Sequence, residues 1–330
     1  MKRFLTIFFL LLGGAVSAAD TLRFVRPPYL QPGDTVGLVA PAAQLSAKTD
    51  TALVRERFAS WGLHVKFAPH CCDAGDGYFA APDSVRAADL QAMIEDPTVK
   101  AVIACRGGYG SVRLLPWLRL AELRRNPKWL VGFSDLTTLH AALAHAGVES
   151  IHGTMPGSFL FDEEDPSAES LRRALFGQTR CIDTAPHPLN VAGTARGRLT
   201  GGNLTVLCAA CGTPEALDAD TPTILFIEEI NEYVYRIDRM LRQLLRSGAL
   251  SNVQAVVVGD FTHIAGAERF GAEACDVVAE CLRPLGIPLL FGFPAGHDRL
   301  NEALYMGRRA QLTVDAEGGH LVFEGEPAHE

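Results

Sequence analysis

An α/β fold is predicted for this chain: a first domain with a mostly parallel sheet, then a smaller α/β domain. Three observations carry that expectation. From Thr35 onward, short apolar runs alternate with helical periodicity, the pattern of βα units. At roughly 100 to 200 residues per domain, the length of 330 favours two domains over one. Between them, residues 163–200 lose apolar periodicity and carry Pro166, Pro186, Pro188 and Gly193, after which the apolar runs begin again.

The elements follow in order. Residues 35–40 (TVGLVA) are the first strand. Leu53, Val54, Phe58 and Trp61 share one face of a helix that Gly62 can end, and residues 63–67 (LHVKF) alternate as a second strand. A helix over 85–94 leads to residues 99–105 (VKAVIAC) and then 128–133 (KWLVGF), continuous apolar runs suited to central strands. Small or turn-forming residues follow each, and ligand sites of parallel sheets sit at such strand ends. In the second half, residues 223–227, 253–258 and 288–293 read as strands, with helices near 235–245 and 267–282. The expected division is 1–19, 20–165, a linker over 166–195, and 196–330. No internal repeat or low-complexity tract is visible.

Hydrophobic residues make up 48% of the chain and charged residues 21%, which excludes a disordered chain and a polytopic membrane protein. The formal charge is −8 and no basic run is dense enough to track a phosphate backbone, so nucleic acid is not an expected partner.

The opening MKRFLTIFFLLLGGAVSAAD has Lys2 and Arg3, an apolar run from Phe4 to Val16, and small residues at Ser17, Ala18 and Ala19. That is the pattern of a secretory signal peptide cut after Ala18 or Ala19, since the run is short of the roughly 20 apolar residues that span a bilayer. Cleavage would move the formal charge from −8 to −10 and leave the chain in the periplasm without stable membrane insertion. Export would permit disulfides among the eight cysteines (71, 72, 105, 181, 208, 211, 275 and 281), but spacing does not pair them. Several lie in apolar runs, so most are expected to be buried thiols. Cys208 and Cys211 have CxxC spacing without a second ligand pair, so neither metal nor redox cofactor is expected.

The segment KWLVGFSDLTTLHAALAHAG reads as strand, sharp turn and helix, with Ser134 at the turn. A serine there can project its hydroxyl above the sheet edge, beside the free amides and positive end of a helix. Helix capping by Ser134 or Asp135 is the alternative. A serine nucleophile needs a base held in its tautomer by an acceptor. His297 follows a strand through a Pro and Gly loop and lies on a strand-end rim. His152 competes with it, while His140 and His145 sit on the helix. Glu228 and Glu229 end a strand, and alternation sends them to opposite faces. In RGGYGSVRLL, Gly107, Gly108 and Gly110 allow close backbone approach, with amides for an oxyanion, although a plain tight turn explains them as well.

Seven blocks stand in one order: VGLVAPA, ACRGGYGSVRLL, LVGFSDLT, IHGTMPG, GRLTGGNL, ILFIEEINEYVYRIDRML and GFPAGHDRLNEALYMG. Over nearly the whole segment after the leader, this resembles the LD-carboxypeptidases, serine peptidases of peptidoglycan recycling whose relatives include microcin C immunity peptidases. The resemblance implies a Rossmann-like first domain, a smaller second α/β domain, an active site in the groove between them, and commonly a homodimer. It implies Ser134 as nucleophile, His297 as base, Glu228 as the orienting acid, and an oxyanion hole from the amides of Asp135 and of Gly107 or Gly108. Relatives often have Glu followed by Asp where this chain has Glu228 and Glu229. The implied substrate is a murein tetrapeptide losing its terminal D-Ala, with L,D cross-links as a further candidate. An immunity-type peptidase and a non-catalytic murein-peptide binding protein stand as the alternatives.

Overall fold

The computed structural model describes residues 24–46, 48–72, 77–161 and 164–325, so the expected leader lies outside the described residues. Chain order in the first half is β1 (Thr35–Val39), α1 (Thr51–Ser60), β2 (His64–Phe67), α2 (Asp83–Glu95), β3 (Val99–Ala104), β4 (Trp129–Gly132), α3 (Thr137–His145) and β5 (Ser150–His152). The five strands run parallel in the order β2, β1, β3, β4, β5. Local chemistry sets the boundaries. Asp50 accepts the amide of Ala52 at 2.8 Å to start α1, Val54 and Phe58 turn its buried face inward, and Gly62 stops it with a φ of 79°. Strands β3 and β4 are central and, apart from exposed Lys100, buried, as their apolar runs require.

The second half contains α4 (Pro166–Leu175), β6 (Cys181–Thr184), β7 (Gly193–Asn203), α5 (Leu204–Ala209), β8 (Thr223–Ile230), α6 (Val234–Arg246), β9 (Val253–Thr262), α7 (Ala267–Phe270), α8 (Ala274–Leu282), β10 (Leu289–Leu290), β11 (Leu304–Met306), β12 (Arg309–Asp315) and β13 (Gly318–Phe323). Strands β10, β9, β8 and β7 are parallel neighbours, and β12, β13 and β6 extend that sheet antiparallel.

Two features exceed the sequence reading. The stretch read as a linker carries α4, capped by Asp165 with Pro166 at its first position, together with β6 and the first residues of β7. Strand β11, from the second half, pairs antiparallel with β5 and completes the first sheet. The expected helix over 267–282 is broken, because Gly271 takes a φ of 87° between α7 and α8. Four of the eight thiols are buried, two half-buried and two exposed, so fewer are sheltered than expected. Among the described residues no helix is long and apolar enough to cross a membrane.

Strand β8 shows how the halves share a core. Ile224 and Phe226 pack into the cluster that includes the first sheet, while Leu225 and Ile227 face α6 and α8 on the other side. The second sheet is therefore buried on both faces, one of them against the first domain.

Candidate active site

Ser134 follows β4 after the single residue Phe133 and adopts a φ of 64°, a left-handed conformation that an ordinary side chain reaches only at a cost. Such strain marks a turn held by its surroundings. The surroundings are specific: the Asp135 carboxylate accepts the amides of Gly110 at 3.2 Å and Ser111 at 2.8 Å, and the Ser111 hydroxyl donates to the Asp135 carbonyl at 2.7 Å. The side chain of Asp135 thus clamps the Gly-rich loop after β3 to the serine turn after β4.

That clamp brings Gly107 against Ser134. A methyl group built on Gly107 would stand 3.3 Å from Ser134 Cβ, 3.5 Å from its Oγ and 3.5 Å from Met155 Cε, so the absence of a side chain lets backbone lie beside the hydroxyl. Gly108 has a φ of 121°, a region open to glycine. The same loop is stitched to the chain after β5 by the Gly157 amide, which donates to the Cys105 carbonyl at 2.8 Å.

His297 and Glu228 come from the other sheet. His297 Nδ1 lies 2.6 Å from Glu228 Oε2; the carboxylate is fully buried and the imidazole side chain is 14% exposed. A carboxylate accepts only, so Nδ1 carries the proton and Nε2 is left with its lone pair. The ring of His297 packs 4.8 Å from that of Phe133, the residue before Ser134. The connection from β10 to β11 explains this proximity, because it leaves the edge of the second sheet and arrives at the edge of the first, carrying His297 across the junction.

The rival histidine is placed otherwise. His152 is fully buried and its Nε2 lies 3.2 Å from Asn301 Oδ1, which also accepts the Gly296 amide at 3.1 Å. That shared acceptor makes Nε2 the protonated nitrogen. Burial pulls the His152 imidazole down to about 3, helped by the neighbouring His140, and burial holds His140 near 4. His140 bridges the Ser150 hydroxyl and the Gly132 carbonyl, while His145 is on the exposed side. Both inner histidines are neutral packing groups beneath the site.

Sequence reasoning missed three contributors. Asn301 holds the loop that bears His297, and the signal for it was its position within the GHDRLN block. Asp260 accepts the Asp298 amide at 3.2 Å beside Glu228, and burial pushes its carboxyl up to about 6. The GGN segment at the end of β7 docks the domains: Asn203 N–H donates to Thr137 Oγ1 at 3.0 Å, and a methyl on Gly202 would fall 2.3 Å from that oxygen. Among the described residues no three His, Cys, Asp or Glu side chains gather as a metal site.

Comparisons with known proteins agree with this architecture. Residues 36–153 match the family model of the LD-carboxypeptidase N-terminal domain, and residues 196–312 that of the C-terminal domain. The murein tetrapeptide carboxypeptidase of Pseudomonas aeruginosa is 32% identical over 287 residues, covering 84% of this chain and 92% of that protein. A Bacillus subtilis protein named "Probable murein peptide carboxypeptidase" is 35% identical over 296 residues, covering 88% and 92%. The crystal structure of muramoyltetrapeptide carboxypeptidase from Oxalobacter formigenes superposes with a TM-score of 0.79 at 31% identity, covering 89% of this chain and all of that one. The microcin C7 self-immunity protein MccF shares the fold, with a TM-score of 0.77 at 22% identity over 92% and 99% of the two chains. By its two matched domains and the identity it keeps across most of its length, the chain belongs to the LD-carboxypeptidase family.

Proposed function

We propose that this protein is a serine-type LD-carboxypeptidase that removes the terminal D-Ala from murein tetrapeptides, cutting after the L-centre of meso-diaminopimelate to leave tripeptides. The 2.6 Å contact between His297 and Glu228, beside the strained turn of Ser134, is the observation that carries the reading. In this mechanism His297 Nε2 takes the proton of Ser134 Oγ as the oxygen attacks the scissile carbonyl, and Glu228 stabilises the imidazolium. The tetrahedral oxyanion is held by the amides of Asp135 and of Gly107 or Gly108. Collapse passes the proton to the leaving amine, and water then releases the acyl group by the same route. No metal or cofactor takes part.

The expected partner is a peptidoglycan stem peptide or muropeptide rather than nucleic acid, and the expected assembly is a homodimer. The proposed location is the periplasm, reached through residues 1–19. Amino-terminal sequencing of protein extracted from cells should begin after Ala18 or Ala19, and an intact Met1 would return the enzyme to a cytoplasmic recycling role. The reaction itself is tested by incubating purified protein with matched tetrapeptides ending in D-Ala or L-Ala and weighing the products. Release of D-Ala alone supports the reading, and equal cleavage of both sinks the L,D assignment.

A further inference from the structure

A carboxypeptidase must recognise a free terminal carboxylate, and this chain is formally −8, so a local cation is needed against the general repulsion. We propose that Arg106 is that cation: its guanidinium binds the carboxylate of the residue to be released, and so sets the preference for a free chain end. The inference rests on the carboxypeptidase reading given above.

Placement is the first argument. Arg106 stands between the end of β3 and Gly107, whose backbone abuts Ser134. Its stem packs against the segment that follows β5. A methyl on Gly157 would meet Arg106 Cβ at 3.4 Å and Cγ at 3.5 Å, and Gly157 lies beyond β5. Since β4 runs between β3 and β5, the segment after β5 crosses the end of β4, where Ser134 sits, to reach Cys105 and the Arg106 stem at the end of β3. The Gly157 amide bond to Cys105 O holds the two flanks together beneath it.

Availability is the second argument. Arginines elsewhere in the first domain are occupied: Arg86 and Arg113 bind Asp83, Arg119 binds Glu95, and Arg57 binds the Leu160 carbonyl. Arg106 is exposed and, among the described residues, makes no hydrogen bond or ion pair. A planar guanidinium matches a carboxylate with two parallel N–H donors, a geometry that a lysine does not reproduce. An unoccupied cation one residue from the backbone that abuts the nucleophile is therefore suited to an anionic chain end.

A stem peptide also carries the D-centre carboxylate of diaminopimelate, so the test separates the two. Binding is measured with Ser134→Ala protein, which cannot turn over, using three peptides: the tetrapeptide acid, its carboxamide, and the acid with lysine in place of diaminopimelate. Adding Arg106→Ala should weaken the two acids by about 10- to 100-fold and leave the carboxamide nearly unchanged, with Arg106→Lys in between. In the active protein Arg106→Ala should raise KM and move kcat little; Arg106→Met serves if the alanine variant does not fold. Equal affinity with and without Arg106, an equal loss with the carboxamide, or a loss that vanishes only for the lysine peptide would overturn the assignment. So would absence of binding by both proteins. If unmodified enzyme leaves the tetrapeptide whole while the Ser134→Ala protein binds it through Arg106, the hydrolytic reading fails and this one stands.

Discussion

Glu228 and Glu229 are consecutive, both buried, and serve opposite sides of one strand. Glu228 continues the face of Ile224 and Phe226 toward the domain junction, where Oε2 meets His297, while its Oε1 has no hydrogen bond among the described residues. Glu229 turns the other way and accepts four hydrogen bonds: from Asn203 Nδ2, from the amide and hydroxyl of Thr205, and from its own neighbour's amide at Ile230. Burial pushes its carboxyl up against those donors, which hold it in place at the start of α5.

This contrast separates two variants that strand alternation alone does not rank. Glu228→Gln should reduce kcat severely, on the order of 10⁴-fold, with thermal stability near that of the parent, because the amide favours the wrong tautomer of His297. Glu229→Gln should instead lower stability by about 1–3 kcal/mol, the cost of disturbing a buried acceptor, and keep kcat per folded molecule. Paired melting and single-turnover measurements distinguish them. A damaged kcat in the second variant with a mild effect in the first would reverse the assignment.

Ser134→Ala and His297→Ala should each lose turnover by about 10⁴-fold or more, and the double variant little further, since residues acting as one unit are not additive. Gly107→Ala asks a subtler question. Its methyl would crowd Ser134 and Met155 without forcing a forbidden backbone, so kcat should drop by about 10²-fold while the fold survives. Unchanged kcat in Gly107→Ala would remove this backbone from the site.

Acid should destabilise the protein early. His140 and His152 hold folded values of about 4 and 3, below the 6.5 of an exposed imidazole, because burial disfavours their charged forms. The unfolded chain therefore binds more protons once the pH drops through 6.5, and stability falls from there toward pH 4 and then 3, by up to about 1.4 kcal/mol per unit for each group. Asp260, raised to about 6, and Glu229, also raised, both mainly by burial, work in the opposite direction as the pH falls, but the hydrogen bonds they accept offset part of each shift, whereas burial dominates at the two imidazoles. Calorimetry at pH 7 and pH 5 should show a lower Tm at pH 5. His152→Gln, which keeps a donor for Asn301, should flatten the slope, and an unchanged Tm between the two pH values would refute the account.

Legibility in the sequence followed the kind of force involved. Strands β1, β3, β4, β8 and β9 announce themselves because both faces are buried along most of their length and the buried stretches are apolar runs. Strand β7 was recognisable only as a motif block, since its GTARGRLTGGN segment is rich in glycine and polar residues. Two of those glycines are required by neighbours: a methyl at Gly201 would fall 1.9 Å from the Phe226 carbonyl, and one at Gly202 would strike Thr137. Strands β6, β12 and β13 form an antiparallel flank that mixes buried and more exposed positions, a weaker signal than a continuous apolar run. The return of β11 to the first sheet is a long-range pairing that no local pattern encodes. At the site, the strand-end positions of Ser134 and His297 and the alternation at Glu228 were readable locally. The supports given by Asn301, Asp260 and Asn203 depend on tertiary contacts and were not.

The last prediction concerns cross-links between two diaminopimelate residues. The leaving amine of such a bond sits on the D-centre, and that carbon bears a free carboxylate, as terminal D-Ala does. The charge requirement met by Arg106 is thus the same for both, and discrimination must come from space around the D-Ala methyl, where the cross-link carries the remainder of a diaminopimelate chain. The loops holding Ser134 are tied by Asp135 to Ser111 and by Gly157 to Cys105, so the floor of the site cannot open without breaking those bonds. We therefore expect a purified 3-3 cross-linked dimer to be cut more slowly than the tetrapeptide by about 10²-fold, the penalty for imperfect placement of reacting atoms. Arg106→Ala should slow both substrates together. Comparable rates on dimer and tetrapeptide would show an open leaving side and make the protein an endopeptidase as well, and slowing of the tetrapeptide alone would mean that the two carboxylates are bound at different places.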